Sequence, residues 1–331
     1  MTSIHLPVLL EPILCEWLDS LVSAVDRGPI TIVDGTFGGG GHSLQIARRL
    51  KEGDTLIGID RDPLPIERFI KSAPSATAPT GLSPAVDVSS EERWVEYSAV
   101  LPSGCRLVLS CASYCALPEI LKEIGLSQVH GILLDLGLSS DQLDDSQRGF
   151  SFRLDAPLDL RFNPNLGISA SDWLLKHSEQ QIADAIYQYG EERFSRRIAR
   201  AIVERNRTDP ITTSKELADL LHRVIPGRIH GRVDSATRTF QALRIAVNRE
   251  LEHVQRAMEL MPALLATDGL LAVISFHSLE DRIVKHAMRD DPRLEGVTKK
   301  PIVATDAEVD ENPRSRSAKL RIARRASEDG R

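Results

Sequence analysis

Ile32-Val33-Asp34-Gly35-Thr36-Phe37-Gly38-Gly39-Gly40-Gly41-His42 is the stretch whose reading decides the fold. An apolar run over residues 30–33 ends at Asp34, passes through four consecutive glycines and enters a helix near His42. Glycine lets the backbone approach a ligand closely and adopt positive φ. A second apolar run, residues 55–59, ends at Asp60, and a helical pattern covers about 62–71. Strand, helix and strand of these lengths make a βαβ unit, so the chain is predicted to be α/β with a parallel sheet.

The pattern extends in both directions. Leu9, Leu10, Ile13, Leu14, Trp17, Leu18, Leu21 and Val22 recur at helical spacing before the first strand. After it, strands are expected over 106–109 and 129–134, the latter ending at Asp135, with a helix near 117–124. Residues 72–104, with Pro74, Pro79, Pro84 and Pro102 among Ser and Ala, read as a solvated, flexible insertion with little core. From 149 to about 234 the strand signals vanish. Ser178-x-x-Gln181 and Thr213-x-x-Glu216 read as capping boxes there. A long helix over 235–261, a buried strand over 270–274, a helix capped by Ser278-x-x-Asp281 and strands near 297–303 and 319–322 complete the reading. The implied domains are 1–145 (first part of the sheet domain), 146–233 (an inserted helical domain) and 234–331 (the return of the sheet domain). With 331 residues, 42% hydrophobic and 27% charged, the chain is long enough for two soluble domains.

Chemistry concentrates at the strand ends. Asp60 lies 19 residues beyond Gly41, where an acidic residue takes the ribose hydroxyls of a nucleoside. The glycines are neither a dinucleotide fingerprint, because Leu44 stands at the third glycine, nor a Walker A loop, because no Gly-Lys-Ser/Thr follows. An acidic residue ahead of them suits a ligand with a positive amino-acid part, as in S-adenosylmethionine, and the alternative is a tight turn with no ligand. His42 reads either as a hydrogen-bonding residue behind the cofactor or as a helix cap. Asp135 is placed to face the same crevice as Asp34 and Asp60, whereas Asp144-Asp145 reads as a solvated turn. Ser275-Phe276-His277-Ser278 brings Ser and His together without a third catalytic member. Cys15, Cys105, Cys111 and Cys115 show neither zinc spacing nor a disulfide framework, and no metal site is expected. No apolar run is long enough to span a bilayer, and the N-terminus carries no charged leader or transit pattern, so a cytoplasmic protein is expected, or an organellar one if the source is eukaryotic.

Charge is unevenly distributed. The whole chain carries −6, yet residues 193–249 hold 13 Lys/Arg against 5 Asp/Glu. Arg193, Arg196, Arg197 and Arg200 fall at helical spacing and predict one basic stripe. An RNA-facing surface inside an acidic protein has this character; the bland reading is a solvated helix face. The six basic residues between Arg314 and Arg325, with no acidic residue among them, admit the same two readings.

Taken together, these motifs resemble the ribosomal RNA small-subunit methyltransferase H family. The resemblance runs almost end to end, through 5–10, 34–43, 58–63, 131–137, 139–145, 148–152, 189–194, 236–242, 274–282 and 312–317. It implies a class I, Rossmann-like methyltransferase sheet with an inserted all-helical domain. The implied activity is N4-methylation of a cytosine in small-subunit rRNA, within the small ribosomal subunit, with S-adenosylmethionine as methyl donor. It also implies that Gly40, Gly41, His42, Asp60, Tyr114, Asp135 and Gln142 hold the cofactor. Asp135 is the candidate catalytic residue, and Arg238 joins the arginine stripe as an RNA contact. Two departures stand out: the length of the 72–104 insertion, and Asp234-Ser235 where the family has a His-Pro pair. The rival readings are a ribosome-assembly factor that retains the fold without catalysis and a nucleotide-dependent oxidoreductase.

Overall fold

The computed structural model describes residues 7–23, 27–72, 97–139, 142–143, 145–152, 155–225 and 234–327. The chain divides into two compact units, Met1–Gly137 with Glu252–Arg331, and Leu138–Leu251.

The first unit is built on a nine-stranded sheet. Its strands are β1 (Thr31–Asp34), β2 (Thr55–Asp60), β3 (Tyr97–Val100), β4 (Arg106–Cys111), β5 (Val129–Asp135), β6 (Leu265–Ser275), β7 (Leu294–Gly296), β8 (Ile302–Val303) and β9 (Lys319–Arg325). The order is β3-β4-β2-β1-β5-β6-β9-β7, with β8 beside β9. β4, β2, β1, β5 and β6 are mutually parallel. From β1 the chain goes to β2 on one side and returns to β5 on the other. The switch point therefore lies at the carboxyl ends of β1 and β5, where open α/β sheets bind ligands.

Both faces of the sheet are buried, which explains why its strands read as continuous apolar runs. Ile32, Leu56, Leu107, Leu109, Leu133 and Leu270 pack on one face with Ile13, Trp17 and Leu18 of the N-terminal helix. Val33, Ile57, Ile59, Val108, Ile132, Leu134 and Val273 pack on the other with Leu117, Met258, Met261 and Val284. Each such side chain, fully buried, contributes about 1.5–3 kcal/mol. The N-terminal helix spans Leu10–Pro12, a π-helical segment Ile13–Leu18, and Asp19–Val22. The Trp17 indole N–H reaches the Leu270 carbonyl at 3.2 Å and ties this helix to the sheet.

The second unit is helical: Ala170–Lys176, Glu179–Gly190, Ser195–Thr208, Ser214–Val224 and Thr237–Asn248. They enclose a core that includes Leu174, Ile182, Ile186, Ile198, Ile202, Leu217, Leu221, Phe240 and Leu243. Both expected capping boxes form, Ser178 with Gln181 and Thr213 with Glu216.

Four expectations need correction. The stretch 72–104 is not wholly an insertion: Tyr97–Val100 is an edge strand antiparallel to β4, because Tyr97 and Ala99 alternate into the core. Pro74, Pro79 and Pro84 lie outside the described residues. The helix expected over 235–261 is two, Thr237–Asn248 and Glu250–Leu264, parted at Arg249, whose φ of 51° ends the first. The helix after β6 is capped by His277 with Glu280 rather than by Ser278 with Asp281. Of the strand expected over 297–303, Ile302–Val303 forms as β8, while β7 lies just before it at Leu294–Gly296. The domain reading of 1–145, 146–233 and 234–331 stands as a proposal beside these two compact units.

Candidate active site at the carboxyl edge of the sheet

Three neighbouring strands of the first unit, β2, β1 and β5, end in Asp60, Asp34 and Asp135. Strand spacing of about 4.8 Å sets these carboxylates side by side. The loop after β1 is shaped for close approach. A side chain at Gly35 would meet Leu134 Cδ2 at 2.5 Å and Tyr114 Cβ at 3.1 Å. Gly40, the residue before the helix Gly41–Ala47, has φ 79°, a conformation other residues rarely adopt.

Each aspartate is held differently. Asp34 is 1% exposed and accepts the Ser43 hydroxyl at 2.7 Å and the Thr36 N–H at 3.2 Å. Burial raises its pKa, against the opposing pull of His42 and these bonds. Asp60 accepts the N–H of Gly38 at 2.6 Å and of Asp62 at 2.8 Å, one on each oxygen. Burial nevertheless pushes its carboxyl up to about 7, with Asp62 and Asp34 adding repulsion.

Asp135 is the least satisfied of the three. Its own N–H donates to the Thr36 hydroxyl at 2.6 Å. Its Oδ2 lies 3.6 Å from His42 Nδ1, and its Oδ1 is buried without a hydrogen-bond partner among the described residues. Burial pushes its pKa up to about 6; His42 lowers it, while Asp34 and Glu280 raise it. A buried carboxylate oxygen without a donor is costly unless something arrives to meet it.

His42 does not cap its helix. It is buried, and its Nε2 donates to the Val8 carbonyl at 2.9 Å, tying the N-terminal segment to the glycine loop. A carbonyl can only accept, so Nε2 carries the hydrogen. Tyr114 is buried in a short 3-10 turn after β4, edge-on to the His253 ring at 6.4 Å. Gly41 opens the helix, with Pro7 packed where its Cβ would point. Gln142 belongs to the second unit, where its side-chain oxygen accepts the Ser139 N–H at 3.0 Å. Sequence reading missed Ser43, whose hydroxyl donates to the Asp34 carboxylate, and Thr36, whose hydroxyl accepts the backbone N–H of Asp135. Their signal was present: two short polar side chains inside an otherwise glycine-rich and apolar segment.

The arginine stripe is shorter than expected. The helix begins at Ser195, so Arg193 precedes it and lies over the Phe194 ring at 4.8 Å. The turn arises because Glu191, at φ 50°, ends the previous helix and the Glu192 carboxylate accepts the Phe194 N–H. Arg196, Arg197 and Arg200 are exposed on the helix, opposite buried Ile198, Ala199 and Ile202. Arg200 sits 3.7 Å from Glu179, and Arg238, on the helix Thr237–Asn248, 3.7 Å from Glu192.

Known proteins place the chain in context. Residues 98–326 match the model of the MraW methylase family. The chain is 47% identical over 305 residues to the ribosomal RNA small subunit methyltransferase H of Rhodopirellula baltica, a match covering 90% of this chain and 86% of that protein. It is 43% identical over 312 residues to the protein of the same name from Trichlorobacter lovleyi, covering 88% and 91%. A match of this extent and identity leaves one assignment: the chain belongs to the MraW methylase family, alongside proteins named ribosomal RNA small subunit methyltransferase H.

Proposed function

We propose that the protein methylates N4 of a cytosine in small-subunit ribosomal RNA, with S-adenosylmethionine as the methyl donor. The observation that carries this reading is the row of three carboxylates at the switch point, one with an unmet buried oxygen. The donor set suits the methyl donor's chemistry. Its amino group and sulfonium are cationic and its ribose presents hydroxyl donors, while the site offers acceptors and close-approach glycines. Gly40, Gly41, His42, Asp60, Tyr114 and Asp135 would hold it, and Gln142 is proposed with them. When bound, S-adenosylmethionine supplies a methyl group on positively charged sulfur.

The remaining chemistry belongs to the chain. Asp60 keeps its two backbone N–H bonds and has lone pairs left for ribose hydroxyls. Thr36 accepts the backbone N–H of Asp135, and Ser43 donates to the Asp34 carboxylate. The cytosine amine has its lone pair delocalised into the ring, and an acceptor for its proton makes that pair available. Asp135 is the proposed acceptor. No nucleophilic cysteine is required for attack by an exocyclic nitrogen. The helical unit is proposed to bind the RNA through Arg193, Arg196, Arg197, Arg200 and Arg238, acting on small ribosomal subunits in the cytoplasm.

The test is methyl transfer from isotope-labelled S-adenosylmethionine to small ribosomal subunits, followed by digestion and mass spectrometry of the nucleosides. The label is expected in N4-methylcytidine. Label in 5-methylcytidine, in another base, or in none would overturn the reading.

A further inference from the structure

A second feature lies on the same edge of the sheet, beyond the three carboxylates. β6 ends at Ser275, and β9 begins at its register partner Lys319. Asp135 pairs with Ile274 of the same strand. Lys319 is thus two strands from Asp135, on the order of 10 Å at ordinary strand spacing. Beside it opens a cleft of about 320 Å³ lined by Ser278, Asp281, Arg282, Lys285, His286 and Lys319.

The charge of this cleft is one-sided. It presents three permanent cations, a hydroxyl and an imidazole against one carboxylate. That carboxylate is already engaged: Asp281 accepts Arg321 Nε at 2.8 Å and Lys319 Nζ at 3.2 Å. Burial alone would raise its pKa, but the two cationic donors outweigh burial and hold it below the ordinary carboxylate range. Asp281 therefore stays ionised and fixes the Lys319 ammonium at the cleft wall. On the helix Ser278–Asp290, Glu280, Val284 and Met288 face inward, while Arg282, Lys285 and His286 are exposed. Packing does not require the charge of Lys285 at its exposed position. An open cleft of converging cations with hydroxyl and imidazole groups suits a multi-oxygen anion.

We propose that this cleft holds a backbone phosphate of the RNA strand close to the nucleotide being methylated, and so sets the register of that strand at the site. The proposal rests on the RNA-methylating function proposed above. Phosphate contacts position a nucleic acid without reading its sequence, and that is the role required here.

The test uses the full chain with Lys285→Gln and Arg282→Gln, singly and together, on purified small ribosomal subunits between about 50 and 200 mM salt. Each single variant is expected to lower the slope of log affinity against log salt by about 1. The double variant is expected to raise KM for the subunits about tenfold, as the loss of charged contacts dictates, with S-adenosylmethionine affinity unchanged. Lys285→Arg, which keeps the charge, is expected to restore most of the slope. If the wild-type chain methylates small subunits and the variants match it in slope and KM, the phosphate site is overturned and the function stands. If the wild-type chain methylates no small-subunit RNA, the function fails and the phosphate site falls with it.

Discussion

Asp60→Asn is the perturbation whose effect follows most directly from the site's geometry. The wild-type carboxylate accepts two backbone N–H groups, yet burial still raises its folded pKa from 3.8 to about 7. The folded protein therefore holds one more proton at Asp60 than the unfolded chain between about pH 4 and 7. Stability falls as pH rises wherever the folded state binds more protons. The protonated carboxyl is stabilising below pH 4, and that stability is lost as pH climbs through 7. A displacement of about 3 units corresponds to roughly 4 kcal/mol over the whole window, and roughly 2–3 kcal/mol of it falls between pH 5 and 8.

Asparagine has the same shape and does not titrate. It keeps one oxygen acceptor and turns an amide N–H₂ toward the other backbone donor, at a fixed cost of about 1–3 kcal/mol. The variant is therefore expected to be less stable than wild type at pH 5 and to recover roughly 2–3 kcal/mol relative to it by pH 8. Urea unfolding of the ligand-free chain, followed by tryptophan fluorescence with Trp94 and Trp173 replaced by Phe so that Trp17 of the same unit reports, measures the difference at each pH. Parallel stability curves for the two proteins across pH 5–8 would refute the argument that burial dominates this carboxylate.

Other consequences follow from the same geometry. Asp135, with a pKa of about 6, is flanked by His42, Asp34 and Glu280. If its anion faces the sulfonium, the preference for S-adenosylmethionine over the uncharged S-adenosylhomocysteine is expected to grow about tenfold from pH 5 to 8, and calorimetry with Asp135→Asn should show no such growth. Replacing Arg196 and Arg200 by Gln is expected to flatten the salt slope of RNA binding by roughly 1–2 units, whereas an unchanged slope with lower thermal stability would return these residues to a structural role. Ser178→Ala and Thr213→Ala each remove a capping box and are expected to cost about 1 kcal/mol, measured by urea titration; no change in either would show that the helices start without them.

The sheet was legible because its signals are local. Each parallel strand is an apolar run, three of the five closed by an aspartate, and burial on both faces leaves no ambiguity of period. The two capping boxes were readable for the same reason. What escaped the sequence depends on distant partners. Tyr97–Val100 lies beside a Pro- and Ser-rich stretch, and its alternation has meaning only once β4 is alongside. The break at Arg249 is invisible to periodicity because apolar residues continue on both sides, and it depends on a left-handed residue beside the Arg244–Glu250 ion pair. Arg193 matched the helical spacing of the stripe, but the Glu192 side chain sets a turn there instead. At the site, the acidic strand ends were legible; the Ser43 bond to the Asp34 carboxylate, the Thr36 bond to the Asp135 backbone, and the commitment of His42 to Val8 required the fold.

The three aspartates also oppose folding. Asp34 raises the pKa of both Asp60 and Asp135, and burial raises all three. A protein selected for stability alone would not bring three strands to such an end, since replacing one acid by an amide removes the repulsion. Placement of mutually repelling, desolvated carboxylates in a glycine-lined crevice is physically reasonable when a ligand brings the compensating charge and donors. The same arrangement links binding to folding. At a pH above 7 the apo unit carries the cost of the Asp60 and Asp135 anions, and a cationic, hydroxyl-bearing ligand relieves it. At pH 5 Asp60 and Asp135 are largely protonated and there is less to relieve. Ligand-induced stabilisation should therefore increase with pH in step with the loss of apo stability, because both are readings of the same buried protons.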